Sequence, residues 1–402
     1  MRWLVSAFVT VTALPRARRR APVALGVCLL SFAVFWCAQR AAHVSMIDLM
    51  VYRAQGETVR AGGDLYALRA TEAHLPTTYP PFAALLFTPL TLLDTASMRT
   101  VATAGNLALL VAFVALSLRL AGHARVECVW WVSAAAVWCE PVWTTLRYGQ
   151  INLLLAVLAL WDLSRRPGHR WAGVGIGIAA AIKLTPALFA VFLLVTGVVA
   201  HTRRGSGGPW LRHAGGAAAA FTGATLLAAA VLPHDSWRFW TRMVFAAGRV
   251  GLVENTANQS LRGVLARLLH TTEPGAPWVA AAALAGTAGL AAAVAAELRG
   301  ERAWATVACA VTALLVSPVS WSHHWVWCVP MVLVLAAVNR TAALCAAVVF
   351  CAYALWWVPH GPGRFELHQN GLELTLSALY VGTGFAFLAL AGVRLWRTYR
   401  SV

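Results

Sequence analysis

The chain has 402 residues, 60% of them hydrophobic and only 12% charged. That is too little polar surface to wrap a soluble globule of this size, so a bilayer is its natural solvent. The net charge of +17 sits in short arginine clusters between apolar runs rather than along one basic face. Nucleic acid is therefore excluded as a partner, and the clusters read as topology markers.

The opening segment, MRWLVSAFVTVTALPRARRR, has an apolar stretch of signal-peptide length followed by arginines instead of a small-residue cleavage site, and is expected to be a cytoplasmic interfacial segment over 1–20. Because cytoplasmic loops are enriched in Lys and Arg, the clusters at Arg16 to Arg20, Arg165 to Arg170, Arg203 to Arg212, Arg299 with Arg302, and Arg394 to Arg400 are placed inside. Apolar runs between them give spans at 21–39, 100–120, 126–144, 150–164, 171–184, 186–200, 214–232, 277–296, 303–317, 324–338, 341–357 and 375–395. The fold class is thus all-α and polytopic, a single integral domain of about twelve crossings in the cell membrane, with both termini inside.

The run YPPFAALLFTPLTLL, 79–93, is short and carries Pro80, Pro81 and Pro89, so it is expected to re-enter or lie at the interface instead of crossing. Three outer loops then cover 40–99, 233–276 and 358–374. They and the outer span ends hold Asp48, Asp64, Glu140, Asp235, Glu254, Glu366, His323 and His324, whereas the inner loops offer mainly arginine. Varied polar chemistry therefore belongs on the extracytoplasmic face. The cysteines at 28, 37, 128, 139, 309, 328, 345 and 351 fall in or beside apolar runs without disulfide or zinc spacing, and are expected to be buried packing residues.

Asp48 follows the first span closely between Ile47 and Leu49. A carboxylate there is either a proton acceptor of raised basicity or a helix-terminal charge. In LRYGQINLLL, Arg147, Gln150 and Asn152 gather where one outer span end gives way to the next, and either cap helices or bond hydroxyl-rich ligands. Lys183 is the only lysine and sits between two apolar stretches. A charge so placed either meets an anion such as a phosphate or snorkels to the interface.

The stretch ENTANQSLRGVLARLL offers Asn258, Gln259 and Ser260 before a short amphipathic helix, either as a head-group pocket or as its cap. In SPVSWSHHWVW, His323 and His324 point in different directions on a helix, a poor bidentate metal site. They are read as hydrogen-bonding a ligand or phosphate, or as structural, with Trp321 beside them.

The order of these segments carries more than any one of them: IDLMVY with a later GGDLY, then YPPFAALLFTPL, GQINLLL, AIKLTP, NQSLRGVLARL and SPVSWSHHWVW. It resembles glycosyltransferase family 87, the GT-C-type polyprenyl-phosphate-mannose-dependent α-mannosyltransferases of actinobacteria, over about positions 45–340. The resemblance implies a GT-C fold with an extracytoplasmic site and a lipid-phosphate sugar donor. The acceptor it implies is a mannosylated glycolipid or lipoglycan, and the product an α-(1→2) linkage.

On that pattern Asp48 is the general base, with Asp64 as runner-up. Lys183, His323 and His324 hold the donor phosphate, and Tyr52, Asp64, Arg147, Gln150, Asn152, Asn258, Gln259, Ser260 and Trp321 line the substrate. No cofactor is expected, and with no DxD-like carboxylate cluster in the outer loops, no metal. A transferase of polyprenyl-phosphate arabinose or glucose, and a lipid or sugar transporter or flippase, stay open as alternatives; no internal repeat favours the transporter.

Overall fold

The computed structural model describes residues 2–123, 125–165, 168–361 and 363–400, with the backbone alone for 2–20, 204, 247 and 398–400. Of the arginine clusters, the side chains of Arg16 to Arg20, Arg204 and Arg400 and the whole of Arg166 lie outside that description.

Among the described residues the fold is almost wholly helical, its only sheet a two-residue hairpin in which Arg69–Ala70 pairs antiparallel with Leu75–Pro76. Helix α1 (Arg2–Ala41) runs on without a break from the expected interfacial segment into the first span. After it come α2 (Ile47–Arg60) and α3 (Pro81–Phe87), the latter opened by a proline in its first turn and followed by a 3₁₀ turn, Thr88–Leu92. These pieces are too short to cross a bilayer as helix. Helix α3 and the turn after it pack on α2: Gly56 of α2 lies so near Phe87 that a Cβ there would stand 2.6 Å from the Phe87 carbonyl oxygen.

Helix α4 (Thr95–Leu120) is capped by Asp94, whose carboxylate accepts the N–H groups of Ala96 and Ser97. The expected span 126–144 is two helices, α5 (Val126–Ala136) and α6 (Glu140–Tyr148), broken before Pro141. Proline has no N–H to donate and its ring clashes with the carbonyl four residues earlier, here that of Val137, so a helix cannot run straight through this point. Then follow α7 (Asn152–Leu163), α8 (Val174–Ile182), α9 (Ala187–Arg204), α10 (Gly208–Val231), α11 (Pro233–Thr241), α12 (Leu261–Leu268), α13 (Gly275–Leu298) and α14 (Arg302–Val316). The 3₁₀ turn Ser322–Trp327 leads into α15 (Cys328–Ala336) and α16 (Arg340–Cys351), and the chain ends with α17 (Gly371–Ser377) and α18 (Leu379–Arg400).

Among the described residues five helices are long and apolar enough to cross a membrane singly: Ala21–Ala41 of α1, α4, α10, α13 and Leu379–Arg397 of α18. The other apolar runs form shorter helices, because turns interrupt them. One large core of buried Leu, Val, Ala and aromatic residues from α4, α7, α9, α14 and α15 joins the bundle. The cysteines divide: Cys28, Cys309 and Cys328 are buried, but Cys37, Cys345 and Cys351 lie on outward faces of the bundle, which a membrane protein covers with lipid instead of side chains.

Two ends of this bundle differ in kind. Arg165, Arg299, Arg302 and Arg394 gather at one end: Arg302 pairs with Glu297 and bonds the Arg165 carbonyl, Arg394 pairs with Glu301, and Arg299 bonds the Leu395 carbonyl. Helix α7 leads from that end to Asn152, and α14 leads from Arg302 to Ser317. Those far ends, about 20 Å away at 1.5 Å per helical residue, hold the cavity described next.

Candidate active site

A cavity of about 400 Å³ opens among α2, α6, α8, the 243–251 stretch and the 317–324 segment, and Asp48, Tyr52, Tyr79, Gln150, Lys183, Trp321 and His324 all line it. Asp48, Gln150, Lys183 and His324 are delivered by helix ends, Tyr52 by the middle of α2 and Tyr79 by the loop before α3. Asp48 is in the first turn of α2, where the helix dipole favours negative charge. The residue that starts α2, Met46, is held at φ 53°, a left-handed conformation that non-glycine residues rarely adopt.

Gln150 follows Gly149, the left-handed C-terminal residue of α6 (φ 69°), and its N–H bonds back to the Thr145 carbonyl at 2.9 Å. Gly149 also allows α2 to come close, since a Cβ on it would meet that of Leu49 at 2.6 Å.

Gln150 ties the carboxylate to two tyrosines. Its Nε2 donates to Asp48 Oδ2 at 2.8 Å, and its Oε1 accepts from Tyr52 at 2.6 Å and lies 3.1 Å from the Tyr79 hydroxyl. The two hydroxyls are 2.9 Å apart. Each has one proton, so Tyr79 donates either to Gln150 or to Tyr52. This fixes which end of the amide faces Asp48 and leaves Oδ1 free. Burial pushes the Asp48 carboxyl above the usual range, and the Gln150 amide and the Lys183 charge pull it part of the way back.

Lys183 ends α8, lies 5.4 Å from the Tyr79 ring centre, and donates to Asn152 Oδ1 at 3.4 Å. Its Nζ is 2.9 Å from His324 Nε2. His324 Nδ1 accepts the Trp321 backbone N–H at 3.1 Å, so a neutral ring carries its proton on Nε2. At that distance two donors have no acceptor for their protons, and an anionic oxygen placed beside both would supply one. An apolar slot of about 50 Å³, walled by Leu155, Phe189, Leu314 and Trp327, runs inward from Lys183 and His324.

Other residues picked from the sequence lie elsewhere. Asp64 is in a turn, accepting the N–H groups of Tyr66 and Ala67 and pairing with Arg238. Arg147 is exposed on α6, away from the cavity. His323 stacks edge-on against Tyr148 and His324, and its carbonyl accepts from Thr145 and Asn152. Asn258, Gln259 and Ser260 are fully buried. Asn258 bonds the Val253 carbonyl and the Ser320 N–H, Gln259 bonds the carbonyls of Thr256 and Ser377, and Ser260 caps α12.

Two cavity residues escaped the sequence reading. Tyr79 belongs to a run that reads only as apolar, and Arg249 to the 233–276 loop expected outside, where arginine is disfavoured, a signal in itself. Among the described residues no three His, Cys, Asp or Glu side chains come together as a metal site.

Comparison with known proteins bears on what this cavity does. The profile of glycosyltransferase family 87 matches residues 78–318. The chain belongs to glycosyltransferase family 87. The match takes in Tyr79, Gln150, Lys183 and Arg249. A Mycobacterium tuberculosis protein named polyprenol-phosphate-mannose-dependent alpha-(1-2)-phosphatidylinositol mannoside mannosyltransferase is 33% identical over 377 residues, covering 86% of this chain and 84% of that relative. A Mycolicibacterium smegmatis protein, named as the corresponding pentamannoside mannosyltransferase, is 31% identical over 396 residues, covering 95% and 84%. No solved structure matches the chain. As a member of family 87 the protein is a hexosyltransferase, and its apolar helices mark it as a membrane protein.

Proposed function

We propose that this family 87 enzyme moves mannose from polyprenyl-phosphate mannose to a mannosylated phosphatidylinositol lipid, forming an α-(1→2) bond with inversion. The observation that carries the reading is one cavity in which a buried-edge carboxylate, Asp48, faces a pair of donors, the amine of Lys183 and the Nε2–H of His324. Asp48 takes the proton of the acceptor hydroxyl. That oxygen attacks the anomeric carbon of β-linked mannose, and the bond from that carbon to the phosphate oxygen breaks.

The departing phosphodiester becomes a monoester, whose added charge Lys183 and the Nε2–H of His324 are placed to offset. The apolar slot beside them suits the first isoprene units of the donor. The sugar and acceptor names come from the relatives in Mycobacterium tuberculosis and Mycolicibacterium smegmatis. The side of the membrane follows from charge: the arginine-rich end belongs inside, which puts the cavity at the outer, extracytoplasmic end.

Membranes containing the protein, given radiolabelled polyprenyl-phosphate mannose and phosphatidylinositol mannosides, test the reading. Transfer by the wild type that Asp48→Asn abolishes is expected. Full transfer by Asp48→Asn would remove Asp48 as the base, and no transfer by the wild type would remove the donor assignment.

A further inference from the structure

We propose that Arg249 is a second phosphate-binding cation of the cavity, and that it takes the phosphodiester of the lipid acceptor while Lys183 and His324 take that of the donor. This rests on the transferase reading above. Arg249 lies in the short 3₁₀ turn Ala247–Val250 and lines the same cavity as Asp48 and Lys183. Among the described residues its guanidinium makes one hydrogen bond, from Nη2 to the Tyr66 carbonyl at 3.0 Å, and its Nε is buried without a partner.

Among the described residues no carboxylate pairs with it, whereas its neighbour Arg238 is neutralised by Asp64. Arg69 adds further positive charge around it, while the charge of Arg238 is offset by Asp64. A half-buried guanidinium with one neutral partner is costly unless an anion completes it, and its planar fork suits the two free oxygens of a phosphodiester.

The surroundings say which anion. Trp237 is 74% exposed and Phe245 79% exposed, and Val250 and Leu252 are exposed on the same stretch. Aromatic and apolar side chains displayed this way belong at head-group depth in a bilayer, so the phosphate that reaches Arg249 is a lipid's. The turn is also pinned to the reacting end of the cavity. Gly251, at φ 138°, passes so close to Trp321 that a Cβ would stand 2.8 Å from its ring, and Trp321 is the residue whose N–H orients His324. An enzyme joining two phospholipid-type substrates must hold two phosphates near one hydroxyl. Lys183 with His324 supplies one cationic position and Arg249 the other.

The test uses the full-length protein with polyprenyl-phosphate mannose and two acceptors, a phosphatidylinositol mannoside and octyl α-mannoside, which has the sugar without the phosphate. Arg249→Ala should raise KM for the phosphatidylinositol mannoside at least tenfold. KM for the donor and the rate with octyl α-mannoside should stay within about twofold of wild type, and Arg249→Lys should recover part of the loss. Equal losses with both acceptors would reduce Arg249 to holding the Tyr66 carbonyl, and a raised donor KM alone would assign it to the donor phosphate; either overturns the proposal.

A second measurement stands apart from turnover. A short-chain phosphatidylinositol should raise the melting temperature of the wild type and not that of Arg249→Ala, and an equal shift in both would overturn the proposal even if no mannose moved. Failure of the wild type to transfer mannose to either acceptor, with that binding difference intact, would instead count against the transferase reading.

Discussion

Around Asn258 the buried polar side chains are turned onto backbone, while around Asp48 they are turned onto one another and onto an open cavity. In the first cluster Asn258, Gln259, Ser260 and Arg267 bond carbonyls and N–H groups of the loops at 253–258, 318–320 and 377. In the second, Gln150, Tyr52 and Tyr79 form a closed group whose single outlet is Asp48, and Lys183 and His324 present donors to the cavity. Both clusters give their buried side-chain donors partners, although Gln259 Oε1 in the first is left without one. Only the second turns its spare capacity toward an open cavity. The first holds the 317–321 segment in place, so that Trp321 and His324 reach the second.

Substitutions should separate the two clusters sharply. Asp48→Asn keeps the volume and removes the proposed base, and kcat should fall by about 10²- to 10⁴-fold with little change in melting temperature. A fall of less than tenfold would erase the distinction. Gln150→Leu leaves Asp48 without its orienting amide, and kcat/KM should drop by about tenfold, the effect of losing roughly 1.4 kcal/mol of transition-state stabilisation.

The pH profile sharpens this. Asp48 must be ionised to accept a proton, so activity should decline as pH falls through its raised pKa, above the ordinary carboxylate range. The Gln150 bond lowers that pKa, so Gln150→Leu should move the acid limb to still higher pH. An unmoved limb would show that another group titrates there.

In the other cluster, Asn258→Ala strands the Val253 carbonyl and the Ser320 N–H. It should cost about 1–3 kcal/mol of stability, seen as a lower melting temperature in detergent, while molecules that stay folded keep near-normal KM for the donor. The smallest effect belongs to Asp64→Asn. Its ion pair with Arg238 is about one-third exposed on both sides, a setting worth less than about 1 kcal/mol, so transfer should stay within about twofold of wild type.

How much of this was legible depended on whether a residue's oddity is local or arises from packing. Lys183 and Asp48 stand out because a charge flanked by apolar residues is costly wherever the chain goes. Gln150 stands out as an amide at a helix junction. Asn258 and Gln259 look equally promising in the sequence, and only the fold reveals that backbone from two distant loops uses up their donors.

Tyr79 was invisible for the opposite reason. Within YPPFAALL it is one more apolar side chain, and it matters through Gln150, 71 positions away. The spans tell a similar story. Pro141 offered a readable cause for the break between α5 and α6, but the break at Ala378, between α17 and α18, follows a run with neither glycine nor proline from 372 to 381.

Because Lys183 is the single lysine of the chain, the protein carries one ε-amine, and that amine faces the cavity. A lysine-selective reagent small enough to enter therefore reports on one atom, with the α-amino group its only other target. Mass spectrometry of one peptide would then follow occupancy directly, through the protection that a bound lipid phosphate gives against labelling.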